Sequence, residues 1–340
     1  MAEGSNPSEP TKFFFPKAKP KVVTLLVTGR TPLGSAVALK EAWMVQSTAH
    51  SVGQTLLPPE KRLIARAVLR QSYQAIVVTG ASAGIGYELA WLCAPSCAQL
   101  VLVARRQQRL DELAAQLGRV YPKLKVYVLA ADLADPGERA RLLMQLQSLA
   151  LQVDLLINNA GLGDSHVVVE AAPERLSQIV ELNVSALTAL SRWALPGMLH
   201  RRRGGILNVG SIVGVLPVPG MATYAASKAF VASFTDALRV EVAGSGVRVS
   251  ALCPGPVETE FAAVAGPRVV RSPRLIYQSA QAVAAAGLRA WEQDRPRVFP
   301  GLLLALLMPL LELVPAVVLR LCMRLLRPRK NAANSKLEPG

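Results

Sequence analysis

Apolar residues along the chain concentrate in six short runs, at 75–79, 100–103, 125–129, 155–157, 205–209 and 247–252, each containing Val, Ile or Leu. Most are separated by segments of about 15 to 25 residues whose apolar positions recur with the 3.6-residue period of a helix. Strands that are apolar throughout, rather than alternating, are covered on both faces, as in a parallel sheet with helices on each side. The pattern predicts βαβ units and an α/β fold: a doubly wound parallel sheet in one domain over residues 73–298.

The flanks have a different texture. Residues 1–72 open on a polar stretch, which does not fit a secretory signal. Short apolar runs at 13–15 and 22–27 lie among lysines with few acids. This extension reads as an organelle-targeting segment or as an idiosyncratic addition, partly helical over 60–74. At the other end, residues 301–319 hold one charge, Glu312, and two prolines, Pro309 and Pro315. That stretch is near the length needed to cross a bilayer, although the prolines interrupt it. Arg320, Arg324, Arg327, Arg329 and Lys330 follow, as at a cytoplasmic-type membrane face. Residues 299–340 are therefore expected to form a membrane-associating tail, spanning the bilayer or lying in its interface. The competing expectation is a helix that covers the core or pairs with a second copy of the chain.

Composition narrows the classes. The 340 residues are 51% hydrophobic and 18% charged, which excludes a disordered chain. Aromatics are only 5%, too few for single-stranded nucleic-acid stacking platforms. The net charge is +15, but residues 1–72 and 320–340 carry sixteen Lys/Arg against five acids. A nucleic-acid groove on the folded domain would not distribute its charge in this way. The four cysteines (Cys93, Cys97, Cys253, Cys322) and three histidines (His50, His166, His200) show no zinc spacing. They read as reduced thiols, with no metal site.

The first strand runs into Gly80-Ala-Ser-Ala-Gly84-Ile-Gly86 and then a helical pattern. Glycines at a strand–helix turn let backbone amides approach a pyrophosphate at the helix N-terminus. The second strand ends at Ala104-Arg105-Arg106, without the acid that would bond the ribose hydroxyls of NAD. Arginine there suits the additional phosphate of NADP. Further on, Ser211 follows the fifth run, and Tyr224 and Lys228 stand four residues apart, on one face of a helix. A nearby ammonium favours the phenolate, fitting a tyrosine for proton transfer.

Together these motifs make residues 73–260 resemble the short-chain dehydrogenase/reductase family, with its Rossmann-like fold. The matching segments are Thr79–Gly86, Asp132-Leu133, Asn158-Asn159-Ala160-Gly161, the set Asn183, Ser211, Tyr224 and Lys228, and Pro254-Gly255 with Thr259. The resemblance implies a catalytic tetrad of Asn183, Ser211, Tyr224 and Lys228, with Asn183 holding a water that relays protons to Lys228. It implies an NADP(H) site built from Gly80, Ser82, Gly84, Ile85, Gly86, Arg105, Asp132, Leu133, Asn159, Ala160, Gly161, Tyr224, Lys228, Pro254, Gly255, Val257 and Thr259. Residues 256–278 form the expected substrate lid, with Phe261, Val264, Val269, Val270, Leu275, Ile276 and Tyr277 among Arg268, Arg271 and Arg274. Such a lid suits a lipophilic carbonyl compound, reduced to its alcohol. The alternatives are a soluble alcohol dehydrogenase of the same fold and a non-enzymatic NADP-binding scaffold. A homo-oligomer, at a membrane in a cytoplasmic-type or organelle compartment, completes the expectation.

Overall fold

A computed structural model describes residues 68–265, 277–314, 317–318 and 321. The targeting expectation for the first sixty-seven residues and the lid residues Arg268, Val269, Val270, Arg271, Arg274, Leu275 and Ile276 lie outside them.

Alternation within each strand sends side chains into two separate cores. The strands are β1 (Tyr73–Thr79), β2 (Cys97–Ala104), β3 (Lys125–Ala130), β4 (Val153–Asn158), β5 (Gly204–Val209), β6 (Val247–Leu252) and β7 (Arg297–Val298). They form one sheet in the order β3-β2-β1-β4-β5-β6-β7. Every pairing is parallel. Ile76, Val78, Leu100, Leu102, Leu155 and Ile157 face one core, under α1 (Gly84–Cys93), α2 (Gln107–Val120) and α8 (Ala280–Glu292). Ala75, Val77, Val101, Val103 and Leu156 face the other, under α3 (Pro136–Ser148), α5 (Leu187–Arg201) and α6 (Ala222–Glu241). Both faces are thus covered, which is why the runs are apolar throughout.

Between α3 and α5 lie α4 (Pro173–Val180) and a π-helical segment, Glu181–Ala186. The short α7 (Glu260–Ala265) follows β6, and α9 (Leu302–Glu312) follows β7. The order reverses between β1 and β4: consecutive strands run outward through β2 and β3 on one side and through β5 and β6 on the other. Ligands of open α/β sheets bind at such a switch point, beyond the carboxyl ends of the strands.

The structure moves three expected boundaries. Tyr73 and Gln74, read as the end of a helical stretch, belong to β1, and the preceding Val68 and Leu69 are buried in the first core. The two-residue β7 lies beyond the six apolar runs. The apolar tail does not continue as one helix, because α9 ends at Glu312. Among the described residues no helix is long and apolar enough to cross a membrane.

Candidate active site

The glycine turn is shaped by close backbone approach. Gly80 and Gly84 have φ of +67° and +55°. A Cβ on Gly86 would lie 2.2 Å from the Gly80 carbonyl oxygen, and one on Gly80 2.7 Å from Asn159 Nδ2. No side chain fits at either place. The turn is bolted to the end of β4: Asn159 Nδ2 donates to the Thr79 carbonyl (2.8 Å), and the Asn159 and Ala160 amides donate to Thr79 Oγ1 (2.9 and 3.0 Å). Helix α1 starts here with no side-chain cap from Ala83 and no acid in its first turn. That leaves a positive helix end for an anion.

Around this turn sit the remaining cofactor candidates. Arg105 lies 3.6 Å from the Asp132 carboxylate. Arg106 donates through Nε and Nη2 to Ser82 Oγ (3.3 and 3.2 Å) and through Nη1 to Glu260 (2.8 Å). Arg109 Nη1 reaches the same carboxylate at 2.7 Å. Hydrogen bonds from these two arginines hold the Glu260 carboxyl below its usual range. Asp132 Oδ1 accepts the Ala134 amide at 3.0 Å, Leu133 is buried in the second core, and Ile85 packs on the first. Thr259 sits against the turn, its Cγ2 3.1 Å from where a Gly84 Cβ would be. Val257 pairs with Gln278, and the Pro254 carbonyl accepts the Ile212 amide at 3.1 Å, beside Gly255. Sequence reasoning placed Arg105 in the set; Arg106, which touches Ser82, was visible only as the second member of an Arg-Arg pair.

Ser211, Tyr224 and Lys228 converge next to it. Tyr224 and Lys228 are both buried on the inner face of α6. Burial pushes the Tyr224 phenol up to about 12, opposed by a hydrogen bond with Ser211. Burial also pulls Lys228 down to about 8, and its Nζ donates to the Val209 carbonyl at 2.8 Å. Burial, rather than the ammonium four residues away, therefore sets the direction at Tyr224. Nζ lies 3.5 Å from the Cβ position of Gly161, which places the lysine against the NNAG segment. Asn183, in the π-helical segment, donates through Nδ2 to the Leu162 carbonyl and to Ser227 Oγ (both 2.9 Å) and accepts the Leu162 amide at 2.9 Å. Both amide protons are thereby used, and a second Oδ1 lone pair is what its side chain offers a water.

Beneath the site, Asn158 Nδ2 donates to Ser191 Oγ (3.1 Å) and Asn208 Oδ1 (2.9 Å), and Asn208 Nδ2 donates to Thr235 Oγ1 (2.9 Å). All four residues are buried. This network joins β4, β5, α5 and α6, and only Asn158 belonged to a recognisable motif. One more side chain packs over Tyr224. The Phe261 ring, on α7, lies 5.6 Å from that of Tyr224. Asp164 accepts from the His166 amide and meets its Nδ1 at 2.9 Å. Burial raises the Asp164 carboxyl, but the His166 contacts win and leave it below its usual value.

The model of the short chain dehydrogenase family matches residues 74–268. The chain is 38% identical over 178 residues to a very-long-chain 3-oxoacyl-CoA reductase of Mycosarcoma maydis, covering 52% of this chain and 51% of that one. It is 34% identical over 200 residues to dehydrogenase/reductase SDR family member 7B of Bos taurus, covering 58% and 61%. The matches thus span about half to three fifths of these relatives' lengths. A short-chain dehydrogenase from Sphingobium yanoikuyae, solved with NADPH, superposes with a TM-score of 0.64 at 31% identity, over 77% of this chain and 99% of that one. One from Burkholderia phymatum, solved with NAD, gives 0.62 at 26% identity, over 71% and 94%. With the glycine turn, the NNAG segment and the Ser–Tyr–Lys cluster in one parallel sheet, the chain belongs to the short chain dehydrogenase family, whose members are NAD(P)-dependent oxidoreductases.

Proposed function

We propose that this protein is an NADP(H)-dependent reductase of a lipophilic carbonyl compound. The observation that carries the reading is the convergence of Ser211, Tyr224 and Lys228 beside a turn whose Gly80 and Gly86 leave no room for a side chain. The residues fit a dinucleotide: an uncapped positive helix end for the pyrophosphate, and Ser82, Arg105 and Arg106 for an additional phosphate. When bound, NADPH supplies the hydride for the carbonyl carbon. Tyr224, held protonated by burial, donates a proton to the carbonyl oxygen, yielding the alcohol. Ser211 presents a hydroxyl to the same oxygen and orients it. Lys228, with Pro254, Gly255 and Thr259, would hold the nicotinamide end, and Asp132 the adenine end. Support for a lipophilic substrate is the Phe261 ring above Tyr224, together with the 3-oxoacyl chemistry in the name of the fungal relative.

The test is titration of the purified protein with NADPH and NADH by nicotinamide fluorescence, followed by turnover on long-chain and short-chain ketones. Tighter NADPH binding and faster turnover of the long-chain set are expected. Preference for NADH would overturn the phosphate assignment, and binding without turnover of any ketone would leave a scaffold.

A further inference from the structure

Helix α9 is apolar on every side. Residues 302–311 contain no polar side chain. One stripe, Leu304 and Met308, is buried against Ala251, Cys253 and Phe299, with Ile212 and Val215 of the segment after Ser211 alongside. The opposite stripe is bare: Leu302 is 79% exposed, Leu306 61%, Leu310 61% and Leu313 80%. Surface helices of a soluble domain put polar residues there, as α2 does with Gln107, Gln108, Asp111 and Glu112. A bare stripe of this length marks a binding surface.

The helix is held firmly in place. Arg297 pairs with both Asp236 of α6 and Glu312 at the end of α9. The Gln278 side chain donates to the Pro300 carbonyl, and Gly301, with φ +87°, leaves room for it. The leucines therefore face outward from a fixed platform.

Two observations select the occupant. At 11 residues, α9 is roughly 16 Å long, about half a bilayer's hydrocarbon thickness, and one side is already committed to the domain. It can lie in a bilayer interface but does not cross it. Beyond it the chain carries Arg320, Arg324, Arg327, Arg329 and Lys330, with no acid between Glu312 and Glu338. A second copy would bring an identical set of cations to a shared two-fold interface, whereas anionic lipid neutralises them. We infer that the outer face of α9 is a docking surface for an anionic lipid bilayer, on which the protein lies peripherally. The inference is independent of the proposed reaction, because lipid binding is read without turnover.

The experiment is co-sedimentation of the full chain with phosphatidylcholine vesicles, with and without phosphatidylserine, at low and high salt. The wild type should pellet with the phosphatidylserine vesicles, less so at high salt. L306E/L310E should lose about a hundredfold in partitioning, because two exposed leucines no longer enter the interface, while its NADPH titration stays at the wild-type value. Leu306→Trp should show a blue-shifted difference emission on adding the anionic vesicles. Equal pelleting of wild type and L306E/L310E, or an unmoved tryptophan emission, would overturn the inference. So would a wild-type dimer that L306E/L310E converts to monomer without lipid binding by either, an outcome that assigns the surface to a second copy.

Discussion

Replacing Tyr224 by Phe removes one oxygen and leaves the ring. Burial raises the phenol to about 12, so at pH 7 about one molecule in 10⁵ carries a phenolate. In the reduction reaction the residue therefore serves as the proton donor. Removing it should lower turnover with NADPH and a ketone by about 10²- to 10⁴-fold, the span of a general acid's contribution. The fold should survive: the ring keeps its place 5.6 Å from Phe261, and the lost bond to Ser211 is worth about 1 kcal/mol. The assay is the decay of reduced-nicotinamide absorbance, run beside an NADPH titration and a melting curve. A folded Tyr224→Phe variant that binds NADPH and keeps more than about a hundredth of the wild-type rate would refute the acid role. Alcohol oxidation needs the phenolate instead, so its rate should climb with pH across the neutral range.

Arg105→Asp with Arg106→Asp should shift binding from NADPH toward NADH by at least about tenfold, read by fluorescence titration; an unchanged ratio would remove both from the phosphate corner. Lys228 titrates near 8 in the folded protein against an ordinary 10.5, so kcat/KM for reduction should fall as pH rises through about 8. From 8 to 10.5 the unfolded chain holds a proton that the folded one has released, so Lys228's contribution should raise stability with pH over that window, relative to Lys228→Met, in urea unfolding. Met308→Ala empties a buried position between α9 and β6. It should cost about 2–5 kcal/mol in chemical denaturation, and a loss below about 1 would mean that α9 is not docked as described.

Where a residue's role depends on its neighbours in sequence, the chain was legible. Six strands showed as apolar runs because both faces of the sheet are covered. The glycine turn, the NNAG segment and the Ser–Tyr–Lys cluster showed because their spacing is local. The strand Arg297–Val298 did not, since two residues make no run and its partner β6 supplies the apolar company. Nor did the start of β2, where Cys97, Ala98 and Gln99 are not buried. The Asn158–Asn208–Thr235 chain of bonds joins residues up to 50 positions apart, and periodicity does not say which polar groups meet. The same holds for Arg106, whose partner Glu260 lies 154 residues away. The apolar tail raised the expectation of a membrane contact or of a helix covering the core, but the split of its helix into a docked and a bare stripe depends on packing against β6.

The Arg106–Glu260–Arg109 cluster has a thermodynamic corollary. Glu260 opens α7, and the two guanidiniums it engages border the corner expected to receive the cofactor's additional phosphate. A phosphate and a carboxylate drawing on the same cations compete, so the free energy of one contact is partly set against the other. By reciprocity, whatever Glu260 subtracts from NADPH affinity, NADPH subtracts from the anchoring of α7, while NADH leaves that anchoring untouched. Glu260→Gln should then tighten NADPH selectively, and amide exchange over residues 260–265 should quicken with NADPH alone; equal exchange with both nucleotides would show that the two contacts are uncoupled.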